Sequence, residues 1–160
     1  RKPFALSFGL RQNIDMLATT QRVVAMAPNL PQWEIFAARP PKQWDMRFSL
    51  AAEGAPTFPI DARFWKYTLT AFDEGRFFDI HIVASDLPAT DALRRQAATV
   101  VLQGILGEID FLRFIDRIQV AKSSEELDSN EVQRLSDIEY LYKHMASLVE
   151  LTPLERYQRV

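Results

Sequence analysis

Residues 65–84 read Trp65-Lys66-Tyr67-Thr68-Leu69-Thr70-Ala71-Phe72-Asp73-Glu74-Gly75-Arg76-Phe77-Phe78-Asp79-Ile80-His81-Ile82-Val83-Ala84. Apolar and polar side chains alternate on both sides of Glu74-Gly75, the period of a strand with one buried and one wet face. A two-residue turn at Glu74-Gly75 sets Phe72 opposite Phe77. Trp65, Tyr67, Leu69 and Ala71 then share a face with Phe78, Ile80, Ile82 and Ala84. Lys66, Thr68 and Thr70 share the other with Asp79 and His81. A slip of one residue would mix the two sets, so the pattern itself selects this hairpin register.

Upstream, Phe4 to Phe8 reads as a short apolar strand. Asn13 can cap a helix running to Ala27, with Leu17, Thr20, Val24 and Ala27 along its inner side. Trp33 to Arg39 is a second strand closed by Pro40-Pro41, and the alternation of Trp44, Met46, Phe48 and Leu50 gives a third. Residues 52–61, with Gly54, Pro56 and Pro59, read as a loop.

Downstream, Thr90 and Asp91 open a helix with Leu93, Ala97, Val100 and Gly104 on one face, and Gly107 suits a left-handed stop. A short helical turn and a strand from about Arg117 to Ala121 follow. The spacing predicts one last helix from Ser129 to Leu151. In it Leu135, Ile138, Tyr142, Met145 and Val149 recur at alternating three- and four-residue steps, as in a coiled-coil seam. The predicted fold is α+β, a mainly antiparallel sheet with helices packed on one side, plus a C-terminal amphipathic helix. Residues 1–121 are expected to form the sheet domain and 122–160 a C-terminal helical extension. The chain opens on Arg1, and Thr152-Pro153-Leu154-Glu155 reads as the capped start of another helix, so an excerpt from a longer protein is expected.

A chain of 160 residues with 48% apolar and 25% charged side chains can build one sizeable core. It has no cysteine, which excludes thiol nucleophiles, zinc ribbons and iron–sulfur sites. Residues 1–66 carry nine basic and five acidic groups, a balance of +4; residues 67–160 carry ten and sixteen, a balance of −6. Such bipolarity would suit head-to-tail pairing of copies, although an acidic, solvated helix start at Glu125–Glu139 accounts for much of it. No Lys/Arg stripe interleaves with aromatics, so nucleic acid is not an expected partner. No apolar run approaches the roughly 18 residues of a membrane span, and a cytoplasmic protein without membrane contact is expected.

No phosphate-cradling glycine loop, nucleophile elbow or His-Glu-x-x-His occurs, and no cofactor is expected. His81 and His144 lack paired ligand spacing, so no metal site is expected either. Four polar residues of the hairpin are the ligand-binding candidates: Thr68 opposite His81, and Thr70 opposite Asp79. A carboxylate beside an imidazole can orient a general base, with a hydroxyl as its client; the same residue types also make an ordinary solvent-facing strand. Trp33, Glu34, Arg39 and Trp44 can frame a rim of aromatic groups beside a charged pair, or the tryptophans can be core anchors. Glu108 and Asp110 fall in one turn and read as a surface turn rather than a cation site.

Two passages carry a resemblance. Ala27-Pro28-Asn29-Leu30-Pro31-Gln32-Trp33-Glu34, continuing to Ala38-Arg39-Pro40, and Leu102-Gln103-Gly104-Ile105-Leu106-Gly107-Glu108 with Asp110 resemble a group of uncharacterised bacterial α+β domains. The resemblance spans residues 4–121 and implies a bacterial source and the same element order; no activity or catalytic residue comes with it. With catalytic signatures lacking and a terminal seam in view, the expectation is a non-enzymatic protein-interaction or self-association module. Leu135, Ile138, Tyr142, Met145 and Val149 are its contact candidates. The alternative is a small hydrolase or ligand-binding domain using the Asp79/His81 hairpin face.

Overall fold

The computed structural model describes residues 2–51, 53–54, 56–87, 90–154 and 157. The hairpin forms in the register that its alternation selects. Strand β5 (Lys66–Phe72) pairs antiparallel with β6 (Phe77–Val83), with Phe72 opposite Phe77, Thr68 opposite His81 and Thr70 opposite Asp79. Glu74 (φ 57°) and Gly75 (φ 84°) take the positive φ values that a tight turn between right-twisted strands needs.

Around this hairpin the order of elements is β1 (Phe4–Ser7), α1 (Leu17–Met26), β2 (Trp33–Phe36), β3 (Arg47–Leu50), β4 (Phe58–Asp61), β5, β6, α2 (Asp91–Leu106), α3 (Glu108–Phe114), β7 (Ile115–Ala121), α4 (Ser129–Gln133), β8 (Ser136–Asp137) and α5 (Leu141–Leu148). Three small sheets result: β1-β2, β3-β4, and β7-β6-β5-β8. The α+β class holds, but the sheets are mixed rather than mainly antiparallel. Both β1-β2 and β6-β7 are parallel, because each pair is joined through a helix and a helical crossover returns the chain in the same direction.

The main core lies against one hairpin face. Tyr67, Leu69, Phe78, Ile80 and Ile82 pack with Ala97, Ala98, Val101 and Leu102 of α2, and Leu50 and Ile60 close one side. Gly104 lets the Trp44 ring lie on α2, for a Cβ there would stand 2.5 Å from it. The loop expected over 52–61 gives way to β4 at its end, over Phe58–Asp61. Phe58 and Ile60 continue an alternation, and Pro59 is tolerated because among the described residues β4 has β3 as its single partner and needs no second row of donors. Ala52 and Ala55 of that stretch lie outside the described residues.

The largest departure is the C-terminal helix. In place of one helix over 129–151, the chain forms α4, the two-residue β8, a 3₁₀ turn at Ile138–Tyr140 and α5. β8 pairs with Lys66 and Tyr67, and the Ile138 N–H donates to the Trp65 carbonyl at 2.9 Å. Ile138, Leu141 and Met145 are fully buried in the main core. The described part of 122–160 therefore shares the core of the preceding chain through Ile138, Leu141, Met145 and Leu151, and the boundary expected after Ala121 is not a break in packing.

Candidate functional site

The hairpin register brings Thr68, Thr70, Asp79 and His81 to one face, as the sequence implies. The imidazole of His81 is held, however, by a residue the sequence reading missed. Its Nδ1 lies 2.9 Å from Glu131 Oε1, both side chains being about four-fifths buried. Asp79 makes no hydrogen bond to His81 among the described residues. The Thr68 hydroxyl is buried without a partner among the described residues, and Thr70 is exposed. Glu131 is placed by the capping box that starts α4: Asp128 accepts from the Glu131 N–H at 2.8 Å, and Glu131 Oε2 accepts from the Asp128 N–H at 3.1 Å. Asp128-x-x-Glu131 was legible as a cap; its reach to His81, 50 positions away, was not. The His81 contact holds the Glu131 carboxyl below its usual range. The pair fastens α4 over the sheet, and Arg134 adds a bond to the Leu69 carbonyl at 3.0 Å on the free edge of β5.

The five seam residues do not form a common surface. Ile138 and Met145 are core, Leu135 and Val149 are half-buried, and Tyr142 is exposed. Of the five, Tyr142 and Met145 lie in α5, Leu135 precedes β8, Ile138 belongs to the 3₁₀ turn and Val149 follows α5, so their three- and four-residue spacing does not trace one helical face.

Glu108 and Asp110 are not in a surface turn. They are 2% and 1% exposed, and each joins distant chain. Glu108 accepts from the Leu10 N–H at 2.8 Å and from the Arg39 N–H at 3.1 Å. Asp110 Oδ1 accepts from the Thr152 N–H at 3.0 Å, while its Oδ2 and the Tyr157 hydroxyl are buried beside one another and have no other partner among the described residues. Burial pushes the Asp110 carboxyl above its usual range. Gly107 ends α2 with a positive φ of 79° but an extended ψ of 160°, not the left-handed helical value expected, because α3 starts at the next residue. No group of three or more metal-ligating side chains occurs among the described residues. Thr152, expected as an N-cap, gives its N–H to Asp110 and accepts from Arg113 at 2.9 Å; Glu155 lies outside the described residues.

The N-terminal β1-α1-β2 unit presents an unfinished sheet. Helix α1 covers Ile35 and Ala37 with Val24, and Phe36 and Ala38 pack beneath with Leu10 and Ile109. Among the described residues β1 has β2 as its single neighbour, and all four of its residues are exposed. The Phe4 and Phe8 N–H groups donate toward β2, to Gln32 and Phe36. By strand alternation, the N–H and C=O groups of Ala5 and Ser7 point to the open edge. Phe4 and Leu6, each 48% exposed, form an apolar strip with Trp33, whose ring stacks on Phe4 at 5.1 Å. Trp33 is thus a surface residue, whereas Trp65 is buried with its indole N–H donating to Asp86 at 3.1 Å.

The chain matches no protein-family model, no curated protein and no solved structure. Among the described residues, no helix is long and apolar enough to cross a membrane.

Proposed function

We propose that this protein is a non-enzymatic interaction module that self-associates through the open edge of β1. The observation that carries this reading is a strand exposed along its whole length, with apolar residues on one face and unpaired backbone groups on its edge. Such an edge is a template for strand addition. Lys2 and Pro3 precede it, but within Phe4–Ser7 neither a charge nor a proline blocks it.

A second copy is the occupant because β1 is self-complementary. In an antiparallel two-fold pairing, Ala5 and Ser7 of one copy exchange hydrogen bonds with Ser7 and Ala5 of the other. Leu6 then meets Leu6 on the axis, Phe4 meets Phe8, and within Phe4–Phe8 no like charges face one another. The contact differs from the C-terminal seam expected from the sequence, whose buried residues are committed to the core.

This register has a direct test, since the chain contains no cysteine of its own. Leu6→Cys places two thiols on the axis, at a Cα separation of about 4.5 Å that a disulfide spans. Mild oxidation is expected to give a covalent dimer of Leu6→Cys and none of Met26→Cys, another exposed position. Equal cross-linking of both, or of neither, would contradict the reading.

A further inference from the structure

The parallel strands β6 and β7 end side by side, with Val83 opposite Ala121, and the chain beyond both ends borders a cleft of about 740 Å³. The carboxyl ends of parallel strands are where open α/β sheets place their ligands, since the departing loops diverge there. The volume is within the range of small-molecule sites. One wall is apolar, built from Phe64, Trp65, Val83, Val132 and Leu135.

The charged groups in this cleft are unequally committed. Asp61 is held by Arg63 in a two-point pair at 2.8 and 2.6 Å, and that contact lowers its pKa to about 2. Asp86 accepts from the Trp65 indole, and Lys66 faces Asp137 at 3.3 Å. By contrast, the Lys122 ammonium and the hydroxyls of Ser85, Ser123 and Ser124 have no partner among the described residues; the Lys122 backbone N–H alone is used, donating to Glu126. Without a protein partner stand one cation and three hydroxyls beside an apolar wall; Asp86, whose indole partner is neutral, is the one carboxylate of the cleft whose charge no cation offsets among the described residues. From this we infer that the cleft binds a small organic anion, a phosphate ester or carboxylate attached to an apolar body. The free cation and hydroxyls would take the anion, and Phe64, three-quarters exposed at the rim, would cover the apolar part.

The test is titration of the full chain with phenyl phosphate and with benzoate, followed by amide chemical shifts. Benzyl alcohol serves as the neutral control. Saturable shifts at Ser85, Asp86 and Lys122–Ser124, with a Kd of about 1 mM or tighter for at least one anion, are expected. Lys122→Gln should weaken that anion about tenfold or more, while Lys143→Gln, at an exposed position of α5, should leave it unchanged. Binding by both anions assigns the site to anions in general, and binding by one assigns it to that anion's class. The inference is overturned if neither anion shifts these amides, if benzyl alcohol shifts them equally, or if Lys122→Gln binds as the parent does.

Discussion

The buried carboxylate of Glu108 accepts the backbone N–H of Leu10 at 2.8 Å, bonding two positions 98 residues apart. The same carboxylate takes the Arg39 N–H, so one side chain at the start of α3 fixes both the exit from β1 and the exit from β2. The edge that carries the proposed contact is held in place from the centre of the molecule.

Glu108→Ala leaves two inward-facing donors without an acceptor, and a loss of about 2–5 kcal/mol in urea unfolding is expected. Glu108→Gln keeps one acceptor oxygen and should lose less. Equal losses in the two variants would show that the second hydrogen bond contributes nothing.

Gly107→Ala is expected to be among the more damaging small substitutions. Its φ of 79° with an extended ψ is open to glycine almost alone, and a Cβ would lie 2.5 Å from the Tyr157 hydroxyl and 2.7 Å from Pro41 Cδ. A loss of about 2 kcal/mol or more in thermal or urea unfolding is the expected result; a neutral effect would mean that Tyr157 and Pro41 move aside freely.

Asp110 gives a pH dependence whose sign follows from burial. Its carboxyl titrates above 3.8 in the folded state, so the folded state favours the protonated form. That stabilisation is complete below about pH 3.8 and is lost as pH rises through the raised folded value. Asp110→Asn keeps an acceptor for the Thr152 N–H and never ionises. Measured against this variant, the parent should therefore lose relative stability from acid toward neutral pH. A relative gain over that interval would contradict the buried, disfavoured carboxylate.

Met145→Ala and Ile138→Ala should each cost about 2–4 kcal/mol, as core truncations do, while Tyr142→Ala should stay within about 0.5 kcal/mol. Deleting 129–160 would remove Ile138, Leu141 and Met145 from the core and β8 from the sheet. Far-ultraviolet circular dichroism of the remainder is expected to show an unfolded chain; a folded remainder would restore the separate C-terminal extension.

Local pattern made the hairpin legible down to its register, and it made the inner face of α1 legible too, with Thr20 and Val24 buried as their spacing implies. What escaped depended on distant chain. Nothing local stops a helix at Arg134, since neither glycine nor proline stands there; Ser136 and Asp137 leave the helix to pair with Tyr67 and Lys66. Glu108 and Asp110 look like surface acids because their backbone partners lie 42 to 98 positions away. The parallel pairing of β1 with β2 was within reach, because a helix between two short neighbouring strands implies it. For the candidate site, the facing of Thr68 with His81 could be read, but Glu131, the residue that orients the imidazole, could not.

Sedimentation of the untagged full chain against its Ser7→Pro variant tests the central claim most directly. Ser7 N–H points to the open edge, so proline there removes a donor from the proposed contact and none from the β1-β2 pair. The account predicts a concentration-dependent species of twice 18.4 kDa for the parent and a folded monomer for the variant. A parent that stays monomeric at every concentration, or a folded variant that dimerises as well as the parent, would contradict it.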